Sequence, residues 1–163
     1  MEIDVEARAA CAKAYFMEGH SCSQSVALAF RDILGVDADV LERLSIGLGA
    51  GVGRMREVCG TVGAMALIAG TMARPEGKDI RTQKSETYAI VQQLAGRFRE
   101  INGSIICREL LALRAAKDHG AGAAFGTDPV AGERTEEYYR TRPCAAIVEC
   151  SAKIIAEYIA NNY

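Results

Sequence analysis

The sequence contains no tryptophan, three prolines and two histidines in 163 residues, and aromatic residues make up 6% of it. With so few histidines there is no helical His-Glu-x-x-His pair and no Ser/His/Asp order, and no carboxylate dyad stands out, so the patterns that mark hydrolase sites are missing. Neither sign of charge is in excess. The 19 Lys and Arg stand against 21 Asp and Glu, a formal net charge of -2, which leaves no general electrostatic attraction to nucleic acid or to an anionic membrane. The uncharged stretch Cys59 to Ala73 falls short of the roughly 20 residues a membrane-spanning helix needs. It is also interrupted by Gly60, Gly63 and Gly70, and it reads as a buried helix. The N-terminus, Met1-Glu2-Ile3-Asp4, lacks the basic flank and apolar run of a secretory signal, so a cytoplasmic location is the expectation.

What is present is a hydrophobic half of the chain, enough to bury a core. Its apolar positions recur every three or four residues, and no β-branched alternation appears. These features predict an all-α fold, a single-domain bundle of about six to seven helices over residues 1–163. The helices are expected at Val5 to Met17, from a Ser21/Gln24 capping box to Gly35, and after Asp37 with Leu41, Leu44 and Leu48 inward. Further helices are expected up to about Met72, from Thr82 to Arg99, after Ser104, and from Pro143 to Asn161. The Gly/Ala-rich segment 118–133, which includes His119, has weak periodicity and is expected to be a flexible surface connection.

Six cysteines are the chemically loaded residues. Cys22, Cys107 and Cys144 fall in the first turn of a predicted helix, and Cys59 lies at or just after the start of another. Unpaired amides and partial positive charge at such a position stabilise a thiolate or an anionic metal–thiolate assembly. Cys11 lies about 120° off the stripe of Val5, Ala9 and Phe16, and Cys150 is mid-helix, so both are expected to be ordinary packing residues. There is no C-x-x-C, no C-x-x-C-H for a c-type haem and no paired zinc-finger spacing, so any shared site must be assembled by folding. The readings left open are an iron–sulfur centre for electron transfer, metal-free thiol/disulfide chemistry, a zinc site, and cysteines that merely pack in a non-enzymatic partner module.

Around these cysteines stand other candidates. His20 precedes Cys22 by two residues and is a candidate base or ligand. Gly47 to Gly53 lacks both the strand of a dinucleotide fingerprint and the Gly-Lys-Ser/Thr of a phosphate loop. Its expected role is close backbone approach beside Cys59, with Arg54 and Arg56 either offsetting thiolate or cluster charge or standing exposed to solvent. Arg108 is either a charge neighbour of Cys107 or half of a surface pair. The small residues Gly60, Gly63, Ala64, Ala66 and Ala69 suit either core packing or a homodimer interface.

The blocks Phe16-Met17-Glu18-Gly19-His20-Ser21-Cys22-Ser23-Gln24-Ser25-Val26, Gly49-Ala50-Gly51-Val52-Gly53-Arg54-Met55 with Cys59-Gly60, Gly103-Ser104 with Cys107-Arg108-Glu109-Leu110-Leu111, and Cys144 in the last helix occupy most of the chain. Together they resemble the C_GCAxxG_C_C family of small, four-cysteine, redox-active proteins, of which a similar domain occurs in split-Soret cytochromes with a non-haem iron centre. The resemblance implies Cys22, Cys59, Cys107 and Cys144 as cluster ligands or redox thiols, and an electron-exchange partner of unspecified identity. The family's Cys-Gly-Ala-x-x-Gly appears here as Cys59-Gly60-Thr61-Val62-Gly63-Ala64, with Thr in the third position. The haem-attachment motif of the cytochromes is absent, so haem is not carried across.

Overall fold

The computed structural model describes residues 2–73, 76–119 and 125–163. Among these residues the chain forms α1 (Val5–Met17), α2 (Cys22–Ala29), α3 (Arg31–Leu34), α4 (Ala38–Ile46), α5 (Gly60–Met72), α6 (Ile80–Asn102), α7 (Cys107–His119), α8 (Glu136–Thr141) and α9 (Cys144–Asn162), and no strand. The all-α expectation holds. Two helices beyond the expected seven have local causes. At Phe30 a φ of -119° and ψ of 20° break one helix into α2 and α3. The six-residue α8, capped by Thr135, is too short for an apolar period to show. Of the segment 118–133, helix α7 takes in the first two residues and residues 120–124 lie outside those described.

Short polar side chains start the helices by satisfying amides that a helix leaves unpaired. Asp4 accepts from the Ala7 amide at 2.9 Å, and Asp79 accepts from the Thr82 amide at 2.8 Å. Ser21 and Gln24 form the reciprocal box: the Ser21 amide donates to Gln24 Oε1 at 3.0 Å and the Gln24 amide to Ser21 Oγ at 3.2 Å. This box fixes where α2 begins, and therefore places Cys22 at its first residue.

Helices α2, α5 and α9 make the centre. α1 packs on α9 and α2, and α5 lies between α2 and α6. Phe16, Phe30, Met65, Ile68, Phe98 and Ile155 fill the interior and are fully buried. α5 is apolar or small nearly all round, the composition of a helix enclosed by others. Its Gly60, Ala64 and Ala69 are buried within the chain, which gives the small-residue face a packing role. The expected three-leucine stripe is corrected: Leu41 is buried, but Leu44 is exposed and Leu48 falls in the turn beyond Ile46. No described helix is long and apolar enough to cross a membrane.

Between α4 and α5 the backbone turns left-handed. Ala50, Gly51, Val52, Gly53 and Arg54 take φ values of 52°, 75°, 62°, 56° and 64°, and Arg56 follows at 61°. Such a conformation costs a residue with a Cβ roughly 1–2 kcal/mol, and it is least natural for the β-branched Val52. Cross-turn hydrogen bonds hold it, among them Gly53 N–H to Gly47 O at 2.8 Å and Glu57 N–H to Gly51 O at 2.9 Å. Gly51 is required, because a Cβ there would lie 2.6 Å from Glu57 N and 2.7 Å from Arg56 Cα. The turn delivers residues 56–59 alongside 105–108. There Cys59 N–H donates to Ile105 O at 2.8 Å and Cys107 N–H to Glu57 O at 2.6 Å. Val58 and Ile106 form an isolated antiparallel bridge between them.

Relief of left-handed strain outweighs the entropic cost of glycine, so Val52→Gly is expected to stabilise the protein by about 0.5–1 kcal/mol. Gly51→Ala is expected to destabilise it by more than about 1 kcal/mol. Urea unfolding midpoints at unchanged m-value check both.

Candidate functional site

Four of the six cysteines stand at helix starts. Cys22, Cys107 and Cys144 are the first residues of α2, α7 and α9, and Cys59 is the N-cap of α5. All four line one cavity of about 540 Å³. Cys11 is exposed on α1, and Cys150 packs partly buried against the core within α9, where Asn102 Nδ2 lies 3.6 Å from its sulfur. Neither of these two lines the cavity.

Cys22 has the most donors. Its sulfur accepts from the Cys59 S–H and from the amides of Ala50, Ser23 and Gly60. Ser23 and Gly60 belong to the first turns of two different helices, so their amides have no intrahelical acceptor, while the left-handed turn aims the Ala50 amide at the same point. The Cys59 hydrogen bond is the strongest influence. It acts with the three amides against burial to bring the Cys22 thiol down to about 6 from the ordinary 9.0. Cys59 is held well above its ordinary value because its proton is committed to Cys22 and because it is buried. Burial also pushes Cys107 up, opposed by the adjacent Arg56 guanidinium. Burial, followed by the nearby Cys22 and Cys107, raises Cys144 to about 12. Near neutral pH the cavity therefore carries one thiolate and three thiols.

The Cys59-Gly60-Thr61 sequence has a physical reading here. A Cβ on residue 60 would sit 2.6 Å from Cys22 Sγ and 2.8 Å from Leu48 O, so only glycine lets the start of α5 abut the sulfur. Thr61 puts Oγ1 at 3.2 Å from Cys59 Sγ. This contact links Thr61 to Cys59 beside Cys22, and either group can donate in it.

The other expected residues divide. Arg54 and Arg56 line the cavity. Arg54 pairs with Asp128 at 2.9 Å, and the buried Arg56 donates through Nε to Gly126 O at 3.1 Å and faces Cys107. These bonds tie the described part of the 118–133 segment to the site. Arg108 pairs with Glu57 at 3.0 Å on the surface and does not line the cavity. His20 does not line it either: Nδ1 lies 3.0 Å from Tyr15 O, and Nε2 lies 3.6 Å from Glu42. Arg134, Tyr138 and Arg142 do line it and were not singled out by sequence. The signal available was the basic and aromatic run from Arg134 to Arg142 immediately before Pro143-Cys144.

Among the described residues no group of three or more His, Cys, Asp or Glu closes tightly enough to hold a metal ion. A family model described as "Putative redox-active protein (C_GCAxxG_C_C)" matches residues 20–158. No curated protein and no solved structure matches the chain.

Alkylation of the reduced protein by iodoacetamide, mapped by mass spectrometry, is expected to reach its half-maximal rate at Cys22 near pH 6, following its value of about 6. Cys144, held at about 12, is expected to remain unmodified through neutral pH. In Gly60→Ala, which pushes the α5 amide off the sulfur, the Cys22 midpoint is expected to rise by about one pH unit or more.

Proposed function

The chain belongs to the C_GCAxxG_C_C family of redox-active proteins, and from this premise we propose that it exchanges electrons as a dithiol, with Cys22 as the attacking thiolate and Cys59 as the resolving thiol. The observation that carries this reading is that Cys22 and Cys59 line one cavity at adjoining helix starts, where a Cβ on Gly60, the residue after Cys59, would sit 2.6 Å from Cys22 Sγ, and that the pair is driven to opposite ionisation. A thiolate with a pKa close to ambient pH combines ionisation with nucleophilicity.

The steps follow from this arrangement. Cys22 S⁻ attacks one sulfur of a disulfide R–S–S–R, forming a Cys22–S–S–R bond and releasing RS⁻. Once Cys22 is bonded, its sulfur no longer attracts the Cys59 proton. Cys59 passes that proton to the released RS⁻, giving RSH, and the Thr61 hydroxyl donates to the resulting thiolate. Cys59 S⁻ then attacks the Cys22 sulfur, forming Cys22–S–S–Cys59 and releasing the second R–S⁻. Two electrons have passed from the protein dithiol to the substrate disulfide. Cys107 and Cys144 remain protonated, because burial keeps them high.

A second reading, iron–sulfur ligation by Cys22, Cys59, Cys107 and Cys144, is favoured by the gathering of four soft donors on one cavity wall. When bound, such a cluster supplies one-electron transfer. A single zinc ion suits this wall less well, since it needs four donors within about 2.3 Å of one point, whereas a cluster spreads its ligands over several metals.

Treated anaerobically with one equivalent of hydroxyethyl disulfide, the reduced protein is expected to lose two hydrogens and yield a Cys22–Cys59 linked peptide pair. Cys59→Ser is expected to stall as a mixed disulfide on Cys22. A link between other cysteines, or an unmodified Cys22, overturns the dithiol reading. Anaerobic reconstitution with iron and sulfide tests the second. A visible chromophore lost in each single Cys→Ala variant at positions 22, 59, 107 and 144, and kept in Cys11→Ala and Cys150→Ala, is its expected outcome.

A further inference from the structure

Among the described residues four arginines line the cavity, Arg54, Arg56, Arg134 and Arg142, and no Asp, Glu or Lys does, although the chain as a whole has a net charge of -2. Arg54 is neutralised by Asp128. The other three have no carboxylate partner among the described residues. Arg56 Nε donates to Gly126 O at 3.1 Å. Arg134 donates to Phe16 O at 3.0 Å and His20 O at 2.8 Å, and its guanidinium lies 4.3 Å from the centre of the Phe16 ring and 4.8 Å from that of Tyr138. Arg142 lies 4.0 Å from the centre of the Tyr138 ring and 5.2 Å from that of Phe125.

A guanidinium laid on an aromatic face is held in place through its π-face; Arg134 spends its N–H groups on carbonyls and contributes charge, as Arg56 does, whereas the N–H edge of Arg142 has no acceptor among the described residues and suits planar, bidentate recognition of a carboxylate. Cations on a partly enclosed apolar wall with no opposing carboxylate focus a positive potential into the space they line. The wall also carries Cys22 and Cys59, and its volume of about 540 Å³ matches a small organic molecule.

We propose that the cavity takes a small disulfide bearing carboxylates, drawn onto Cys22 by Arg56, Arg134 and Arg142; this rests on the dithiol reading above. The stoichiometry is one dicarboxylic disulfide and one Cys22/Cys59 dithiol giving two carboxylic thiols and one protein disulfide, with no further reactant.

Three disulfides of similar size and different charge test it in single-turnover reactions with the reduced full-length protein: 3,3′-dithiodipropionate, hydroxyethyl disulfide and cystamine. Dithiodipropionate is expected to react at least about tenfold faster than the neutral compound, and cystamine more slowly than it. The preference is expected to shrink as salt is added. The Arg142 side chain makes ring contacts and no hydrogen bond among the described residues, and in Arg142→Gln the anionic-to-neutral ratio is expected to fall at least threefold. Arg142→Lys is expected to keep part of it, and unchanged circular dichroism excludes a folding defect. Suberate, the disulfide-free isostere, is expected to bind by calorimetry and to lose affinity in Arg142→Gln. Rates within twofold of one another with no suberate binding overturn the proposal, even if the Cys22–Cys59 disulfide forms. Suberate binding without reaction of any disulfide leaves the anion site standing and overturns the dithiol reading.

Discussion

The Cys22 sulfur accepts from the start of its own helix, from the start of α5, from a left-handed turn and from a second cysteine. A half-buried thiolate is stable only where fixed donors replace the water it has lost. That requirement accounts for features that are otherwise unrelated. Gly60 is needed so that the start of α5 can reach the sulfur, the Ser21/Gln24 box sets which residue begins α2, and the strained turn brings in the Ala50 amide. Four residues with side chains in a left-handed conformation are a local cost, offset by the hydrogen bonds that cross the turn and by the packing it joins.

Two kinds of group make the cavity electropositive. Helix N-termini gather around sulfur, and their partial positive charge favours negative charge there. Guanidiniums laid on Phe16, Tyr138 and Phe125 line the same cavity. Both attract anions, while only one thiol is ionised near neutral pH. The same field suits a thiolate in dithiol exchange and a polyanionic thiolate cluster, which is why ligand geometry and chemistry must separate the two readings.

Much of this was legible from residue order. The helical period, the caps at Ser21 and Asp37, and the assignment of Cys22, Cys59, Cys107 and Cys144 to helix starts all depend on interactions within a few residues. Local rules failed where the partner is distant. Leu44 fits an apolar stripe but is exposed, whereas Leu41 on the same helix is buried where α4 packs on α2. His20 is close to Cys22 in sequence, yet its ring is taken by Tyr15 and Glu42 on the far side of the tight turn. Arg134 and Arg142 come from a segment with no apolar period, and they reach the site because Phe16 of α1 and Tyr138 of α8 provide the rings on which they lie.

By itself the sequence determined an all-α chain with four cysteines at helix starts, because helix periodicity, capping and the breaking effect of glycine act over three or four residues. Only the tertiary structure decided that these starts face one cavity, that Cys22 ionises in preference to the other three, and that four arginines line the same cavity. Ionisation depends on burial and on donors brought from positions as far apart as residues 23 and 60, and no spacing along the chain encodes the direction of an amide across a fold.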